Sequence, residues 1–317
     1  MHTIRVSIGT ASVLGLAHAP MEIAPTTAYL MLGGRCAMNC AFCAQASQSQ
    51  ADDRALSRVT WPTFSLHQVC QELPKAEQAG RLRRCCIQVT AGKKAYEQTR
   101  QAVHQIREST AMPLDVAILP AGIEQVQALL EAGVDHIGFG LDAACERVFR
   151  QVKRQNWPRM IGMIAETARR FPSRAAVHLI VGLGETEREM VERILWAHAL
   201  PATVGLFAFT PIRGTALAHR APPPLAQYRR MQAARWLIVH HGAGPADFGF
   251  DAQENLCDIR IAGWPALLGD GTAFRTSGCP DCNRPFYNER PGGTMYNYAR
   301  PLTTSEAEQA IVEMELG

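Results

Sequence analysis

The chain has 317 residues, is 47% hydrophobic and 19% charged, and carries a formal charge of +3, which is enough for one large core or two small ones and too balanced for a nucleic-acid footprint. No stretch approaches the roughly 18–20 uninterrupted apolar residues that a membrane span requires. Neither nucleic acid nor membrane is therefore expected as a partner, and cysteines that cluster rather than spread as pairs suit a reducing cytoplasm.

In chain order, "MHTIRVSIGTASVLGLAHAPM" has an apolar middle and an Ala17-His18-Ala19 that mimics a secretory cleavage site. Ser7, Gly9, Thr10, Ser12 and Gly15 dilute that middle, so residues 1–25 are read as an N-terminal extension lying on the main fold. Strand-like runs then recur at "TAYLML" (27–32), "CCIQVTAG" (85–92), "DVAIL" (115–119), "HIGFGL" (136–141), "VHLIVG" (177–182), "VGLFAF" (204–209) and "ADFGF" (246–250), with a weaker one at "TAFRTSG" (272–278). Amphipathic segments separate them, such as 121–134, where Ile123, Val126, Leu129 and Leu130 fall at helical spacing before Gly133, and 187–200. Six to eight βα units in a row predict an α/β fold, a parallel (β/α) barrel of the TIM type, complete or nearly complete, over residues 26–278. Functional residues are expected at the strand C-terminal ends. Residues 279–317 form a Gly/Pro/Asn-rich segment whose Phe286, Tyr287, Tyr296 and Tyr298 argue for order.

The loop after the first strand, "RCAMNCAFCAQ", holds Cys36, Cys40 and Cys43 with no fourth thiol nearby. Structural zinc wants four closed ligands, and inert buried thiols do not suit a loop made polar by Arg35, Asn39 and Gln45. The remaining candidate is a [4Fe–4S] cluster on three thiolates, with one iron open to a non-protein ligand. A second group, Cys279-Pro-Asp-Cys282, can hold zinc, form a redox pair or ligate iron–sulfur, with Cys257 as a further ligand. Cys86, heading the second strand, would point into the barrel and Cys85 toward the helices. Cys70 and Cys145 read as packing residues, His240-His241 as a helix end and Asp52-Asp53 as a solvated turn.

The spacing Cys-x3-Cys-x2-Cys, with Phe42 before the last cysteine, resembles the signature of the radical S-adenosylmethionine (SAM) enzymes. That resemblance implies SAM chelated at the open iron and a 5′-deoxyadenosyl radical able to take hydrogen from unactivated carbon. Three further stretches match. "VTAG" (89–92), with Thr90 and Gly92, looks like the loop that receives the cofactor's amino group; "GFGLDA" puts Asp142 at the ribose; "IVGLGET" puts Gly182, Gly184 and Glu185 on the adenine side. The basic run from Arg150 to Arg159 is where an arginine for the SAM carboxylate is expected.

Over 200 to 250 residues the layout is similar to biotin synthase, although "LDVAILP" and "AAVHLIVG" carry no cysteine at the places where that enzyme holds its second cluster. The tail "TSGCPDCNRPFYNERPGGTMYNYARPL" instead resembles the split, two-component lipoyl synthases. That likeness implies an auxiliary [4Fe–4S] cluster on Cys257, Cys279 and Cys282, with Ser277 or Cys86 as a possible extra ligand. It also implies sulfur insertion at carbon 6 or carbon 8 of an octanoyl chain. The implied partners are an octanoylated lipoyl-carrier protein, a companion lipoyl synthase component and a low-potential electron donor such as ferredoxin. Other biotin synthase-like enzymes acting on a small molecule, and a non-catalytic iron–sulfur or zinc module, are the alternatives.

Overall fold

The computed structural model describes residues 3–289 and 292–316, so Arg290 and Pro291 of the C-terminal tail lie outside the described residues, as do the first two residues and the last. A first strand β1 (Thr3–Val6) and helix α1 (Ile8–Val13) precede β2 (Thr27–Leu32); a small hairpin β3 (Ala55–Leu56) and β4 (Val59–Thr60) leads to β5 (Thr63–Ser65) and α2 (Leu66–Gln78). Alternation then runs β6 (Arg84–Val89), α3 (Ala95–Ser109), β7 (Leu114–Ala117), α4 (Ile123–Glu131), β8 (His136–Asp142), α5 (Glu146–Val152), α6 (Trp157–Arg170), β9 (Ala175–Val181), α7 (Glu187–Ala199), β10 (Thr203–Ala208) and α8 (Leu225–His241). The rest is a two-stranded sheet, β11 (Phe248–Phe250) and β12 (Leu256–Ile259), then α9 (Trp264–Leu267) and α10 (Thr304–Val312).

β2 and β6 to β10 are parallel, each short and rich in apolar residues because both faces are covered. All six residues of β2 are buried. The helices bury one stripe each against this sheet: Ile123, Val126 and Leu129 of α4 are all buried, and Gly133 follows it with φ +95°.

The TIM-like sheet expected here is an incomplete barrel, and two further expectations need correction. The sheet has eight strands in the order β10-β9-β8-β7-β6-β2-β1-β5, with β10 and β5 at its ends, so among the described residues no pairing closes it. "ADFGF" supplies β11 of the separate small sheet, and "TAFRTSG" folds as a turn of 3₁₀ helix over Thr272–Phe274 followed by loop; neither joins the barrel-like sheet. The N-terminal stretch does more than lie on the fold, because β1 pairs antiparallel with both β2 and β5.

The segment that follows Phe274 runs beside the open end of the sheet. Ser277 Oγ accepts from the Leu206 amide of β10 at 2.9 Å. Asn283 accepts from the Thr26 amide at 3.0 Å and donates to Ala24 O, and the Asp281 carbonyl accepts from Thr27 Oγ1 at the start of β2. Buried Arg229 of α8 anchors the following stretch by donating to the carbonyls of Met295 and Tyr296, while also pairing with Glu313.

Candidate active site

Strand alternation aims one set of side chains into the sheet's concave face: Tyr29 and Met31 from β2, Arg84, Cys86 and Gln88 from β6, Asp115 and Ala117 from β7, His178 and Ile180 from β9, and Phe207 from β10. They surround a cavity of about 310 Å³. Cys36, Cys40 and Cys43 line it at the strand C-terminal end, and Cys86, Cys279 and Cys282 line it as well.

The upper loop is held by its neighbours. Arg35 donates to the carbonyls of Ala44, Ala46, Ser49 and Ala51, tying the loop around its own guanidinium. The Ala91 amide points at Cys36 Sγ at 3.2 Å, and the Ala37 amide bonds Ala91 O, so the "VTAG" loop is directly involved. Thr90 lines the cavity and bonds Leu32 O, and its hydroxyl lies against Gly33, where a Cβ would come within 2.2 Å of it. Gly92 caps the start of the next turn through its carbonyl and does not line the cavity. Phe42 does line it.

Burial pushes the Cys43 thiol up to about 12, and it raises Cys40 too, where Lys153 works in the opposite direction. Such thiols need a cation to become thiolates. The loop supplies three of the four ligands that a closed tetrahedral zinc site wants, and three thiolates are what a [4Fe–4S] cluster with one open iron uses.

Asp142 sits at a bulge with φ +62° and faces the same cavity, but its carboxylate is already engaged: Lys153 Nζ lies 2.5 Å from Oδ2 and also bonds Gly140 O. Burial alone would lower the Lys153 ammonium, and the Asp142 charge outweighs it and holds it above its usual value. Within the basic run it is this lysine, not an arginine, that is buried beside Cys40, with Gln155 reaching Cys40 Sγ at 3.9 Å. Sequence reading missed Lys153 because three residues of helix and one turn decide which of several cations points inward.

The "IVGLGET" loop is occupied by protein. Glu185 Oε1 accepts from the Gly182 amide at 2.6 Å, a Cβ on Gly182 would meet Pro223, and one on Gly184 would meet Arg220. Gly182, Gly184 and Glu185 therefore shape the turn, and the residue of this motif that reaches the cavity is Ile180.

The lower thiols overturn one expectation. Cys279 and Cys282 lie at the opposite end from the strand C-termini, since Arg84 at the start of β6 bonds Pro280 O at 2.8 Å and Asp281 bonds the start of β2. Cys86 faces the cavity and Cys85 is fully buried among the core, as strand alternation predicts. Cys257 is corrected: it is exposed on β12, outside the cavity, and cannot join Cys279 and Cys282. Burial raises Cys86 and Cys279 well above the ordinary thiol, with Asp115 adding to both. Ser277 also lines the cavity, with its hydroxyl already accepting from Leu206. Cys70 and Cys145 pack against the core.

A helix-covered, mostly parallel sheet with a three-thiol loop after its first parallel strand is an α/β architecture of the TIM-barrel-like class. The profile of the radical SAM superfamily matches residues 30–197, and the chain belongs to that superfamily. Membership implies a [4Fe–4S] cluster and SAM, and the three-thiol loop fits both. The biotin synthase of Rhizorhabdus wittichii is 26% identical over 242 residues, covering 73% of this chain and 68% of the relative. That of Crocosphaera subtropica is 25% identical over 194 residues, 59% of this chain and 50% of the relative. Among solved structures, the FeFe-hydrogenase maturase HydG from Carboxydothermus hydrogenoformans superposes with a TM-score of 0.54 at 15% identity, covering 69% of this chain and 52% of that one. Methylornithine synthase gives 0.53 at 12% identity, covering 66% and 62%. These structures share the fold, and the matches span half to two thirds of the relatives' own lengths. No helix among the described residues is long and apolar enough to cross a membrane.

Proposed function

We propose that the chain is a radical SAM sulfurtransferase of the lipoyl synthase class. It would insert sulfur at carbon 6 or carbon 8 of an octanoyl chain borne by a lipoyl-carrier protein, beside a companion lipoyl synthase and a low-potential donor such as ferredoxin. The observation that carries this reading is that Cys86, Cys279 and Cys282 face the same cavity as Cys36, Cys40 and Cys43.

When bound, the upper cluster with SAM supplies a radical able to remove hydrogen from unactivated carbon, and an auxiliary cluster on the lower thiols supplies sulfide. The protein's part is placement. An alkyl C–H offers no acidic proton, so a general base has nothing to do, and rate comes from holding the carbon between the two ends. Met31, Trp61, Phe207 and Tyr287 give the wall an apolar character suited to an acyl chain. Burial lowers His178 to about 4, which keeps that ring neutral beside the chain. Arg284 stacks over Phe207 with its guanidinium 3.7 Å from the ring centroid and donates to Ser277 O, closing the lower wall.

A second reading, a biotin synthase-like enzyme acting on a small molecule, is favoured by the biotin synthase relatives. Incubation of anaerobically reconstituted protein with SAM, dithionite and an octanoyl-lysyl peptide, with and without a companion enzyme, separates the two. Mass spectrometry should find a sulfur gain on the peptide; 5′-deoxyadenosine formed without any such gain in the presence of a competent companion would leave the small-molecule reading.

A further inference from the structure

Each of the three lower thiols has a different polar neighbour. Cys279 Sγ lies within 4.8 Å of polar atoms of Asp115 and His136, and Gln88 Nε2 reaches Cys86 Sγ at 3.5 Å. Tyr29 Oη lies 3.4 Å from Cys282 Sγ and accepts from the Arg284 amide at 2.8 Å. Tyr29 belongs to β2, is buried, and packs with Met31 and Trp61 against Cys86, Cys282 and Tyr287. Its phenol therefore meets the Cys282–Arg284 turn at both ends, the sulfur of one residue and the amide of the other.

Resting on the auxiliary-cluster reading above, we propose that Tyr29 is a positioning residue of the lower site, donating its phenolic proton to the Cys282 sulfur once that sulfur holds iron. The direction of the bond follows from counting protons. A phenol carries one proton, and the Arg284 amide, itself a donor, occupies a lone pair of the oxygen. A sulfur bound to iron is a thiolate with no proton of its own, so the contact between Tyr29 and Cys282 then has only one donor. Hydrogen bonds to the sulfurs are among the factors that set the potential of an iron–sulfur cluster, because they draw charge off the thiolate and stabilise the reduced, more negative form. That potential bears on the proposed chemistry. Joining an alkyl radical to a sulfide uses the carbon's unpaired electron and one electron of a sulfur pair, and the electron left over reduces one iron(III) to iron(II). A donor at Cys282 favours that uptake.

The test uses the full chain with Cys36, Cys40 and Cys43 changed to Ala, so that only the lower site holds iron after anaerobic reconstitution with iron and sulfide. Adding Tyr29→Phe keeps the ring and removes the one proton, while the tail stays tied to the sheet through Asn283 to Thr26 and Ala24 and through the Asp281 carbonyl to Thr27. In a redox titration followed by electron paramagnetic resonance, the midpoint of this variant should fall below the parent's by about threefold in the one-electron equilibrium, or roughly 30 mV. Pulsed electron–nuclear double resonance of the reduced parent should show an exchangeable proton, removed by deuterium oxide, that is missing from Tyr29→Phe. A midpoint that does not fall in Tyr29→Phe, or exchangeable-proton signals that survive there complete, would overturn the role of Tyr29 while leaving the lower cluster in place. If Tyr29→Phe fails to fold or to bind iron, Tyr29→3-fluorotyrosine decides: this stronger donor of nearly the same shape should raise the midpoint, and a midpoint at or below the parent's would overturn the role. A parent that binds no iron would overturn the auxiliary-cluster reading, and this role with it.

Discussion

Gly214 carries much of the geometry of the upper loop. Its φ is +88°, and a Cβ there would lie 2.5 Å from the Ala51 amide nitrogen and 2.7 Å from the Gln50 carbonyl carbon, where only a backbone shift could relieve it. The Gln50 amide bonds Gly214 O, so that shift would pass straight into the chain that follows the cysteines. Gly214→Ala should therefore cost about 1–2 kcal/mol in left-handed strain before any clash is counted, and iron bound per chain after reconstitution should fall relative to wild type. Lys153→Met addresses the other side of the loop. It strands Asp142 in a site where both side chains are at most 15% exposed, and breaking such a pair typically costs about 3–5 kcal/mol; urea unfolding of the metal-free protein reads that loss. Asp142→Asn in the same background should recover part of it.

His178 makes a pH prediction. Its folded-state value is about 4 against the ordinary 6.5 of the unfolded chain, because burial disfavours the charged ring. Between those values the unfolded chain binds the extra proton, so stability rises with pH across that window and is lost as pH falls from 6.5 toward 4. The contribution amounts to at most about 3 kcal/mol. Metal-free wild type should weaken on acidification more steeply than His178→Phe; parallel pH profiles of the two would contradict the assignment.

At the scale of elements, the β-branched and aromatic runs located β2 and β6 to β10, because strands covered on both faces must be almost continuously apolar. β1 and β5 are four and three residues long, β1 lies in the diluted N-terminal stretch, and only their pairing beside β2 makes them strands. The three-thiol loop was fully legible, since its three cysteines lie within eight residues. The lower group was legible only in part. Cys279 and Cys282 announced themselves by spacing, but Asp115, His136 and Cys86 come from three strands, and no local pattern tells that the tail returns to their N-terminal ends. Arg229 of α8 governs that return. It is 1% exposed and holds Met295 O, Tyr296 O, Gln232 and Glu313. Arg229→Met should cost about 3 kcal/mol or more by stranding these acceptors, and limited trypsin digestion should then cut the chain between α8 and α10 faster than in wild type.

On the scale of the whole molecule, six parallel strands form a trough rather than a closed ring, and the C-terminal segment supplies the wall that further strands would have provided. An open sheet lets one chain bring thiols to both ends of a single cavity: the upper set from the first loop of the sheet, the lower set largely from a segment more than 200 residues later. The central claim is that the upper end removes hydrogen and the lower end gives up sulfur. Its most direct measurement is to build the clusters with heavy-isotope sulfide, run a single turnover in unlabelled buffer with the octanoyl-lysyl peptide and companion enzyme, and weigh the product. Wild type should yield peptide carrying the heavy sulfur, and the variant with Cys86, Cys279 and Cys282 changed to Ala should still form 5′-deoxyadenosine yet leave the peptide without sulfur. Unlabelled sulfur in the wild-type product, or thiolated peptide from that variant, would contradict the account.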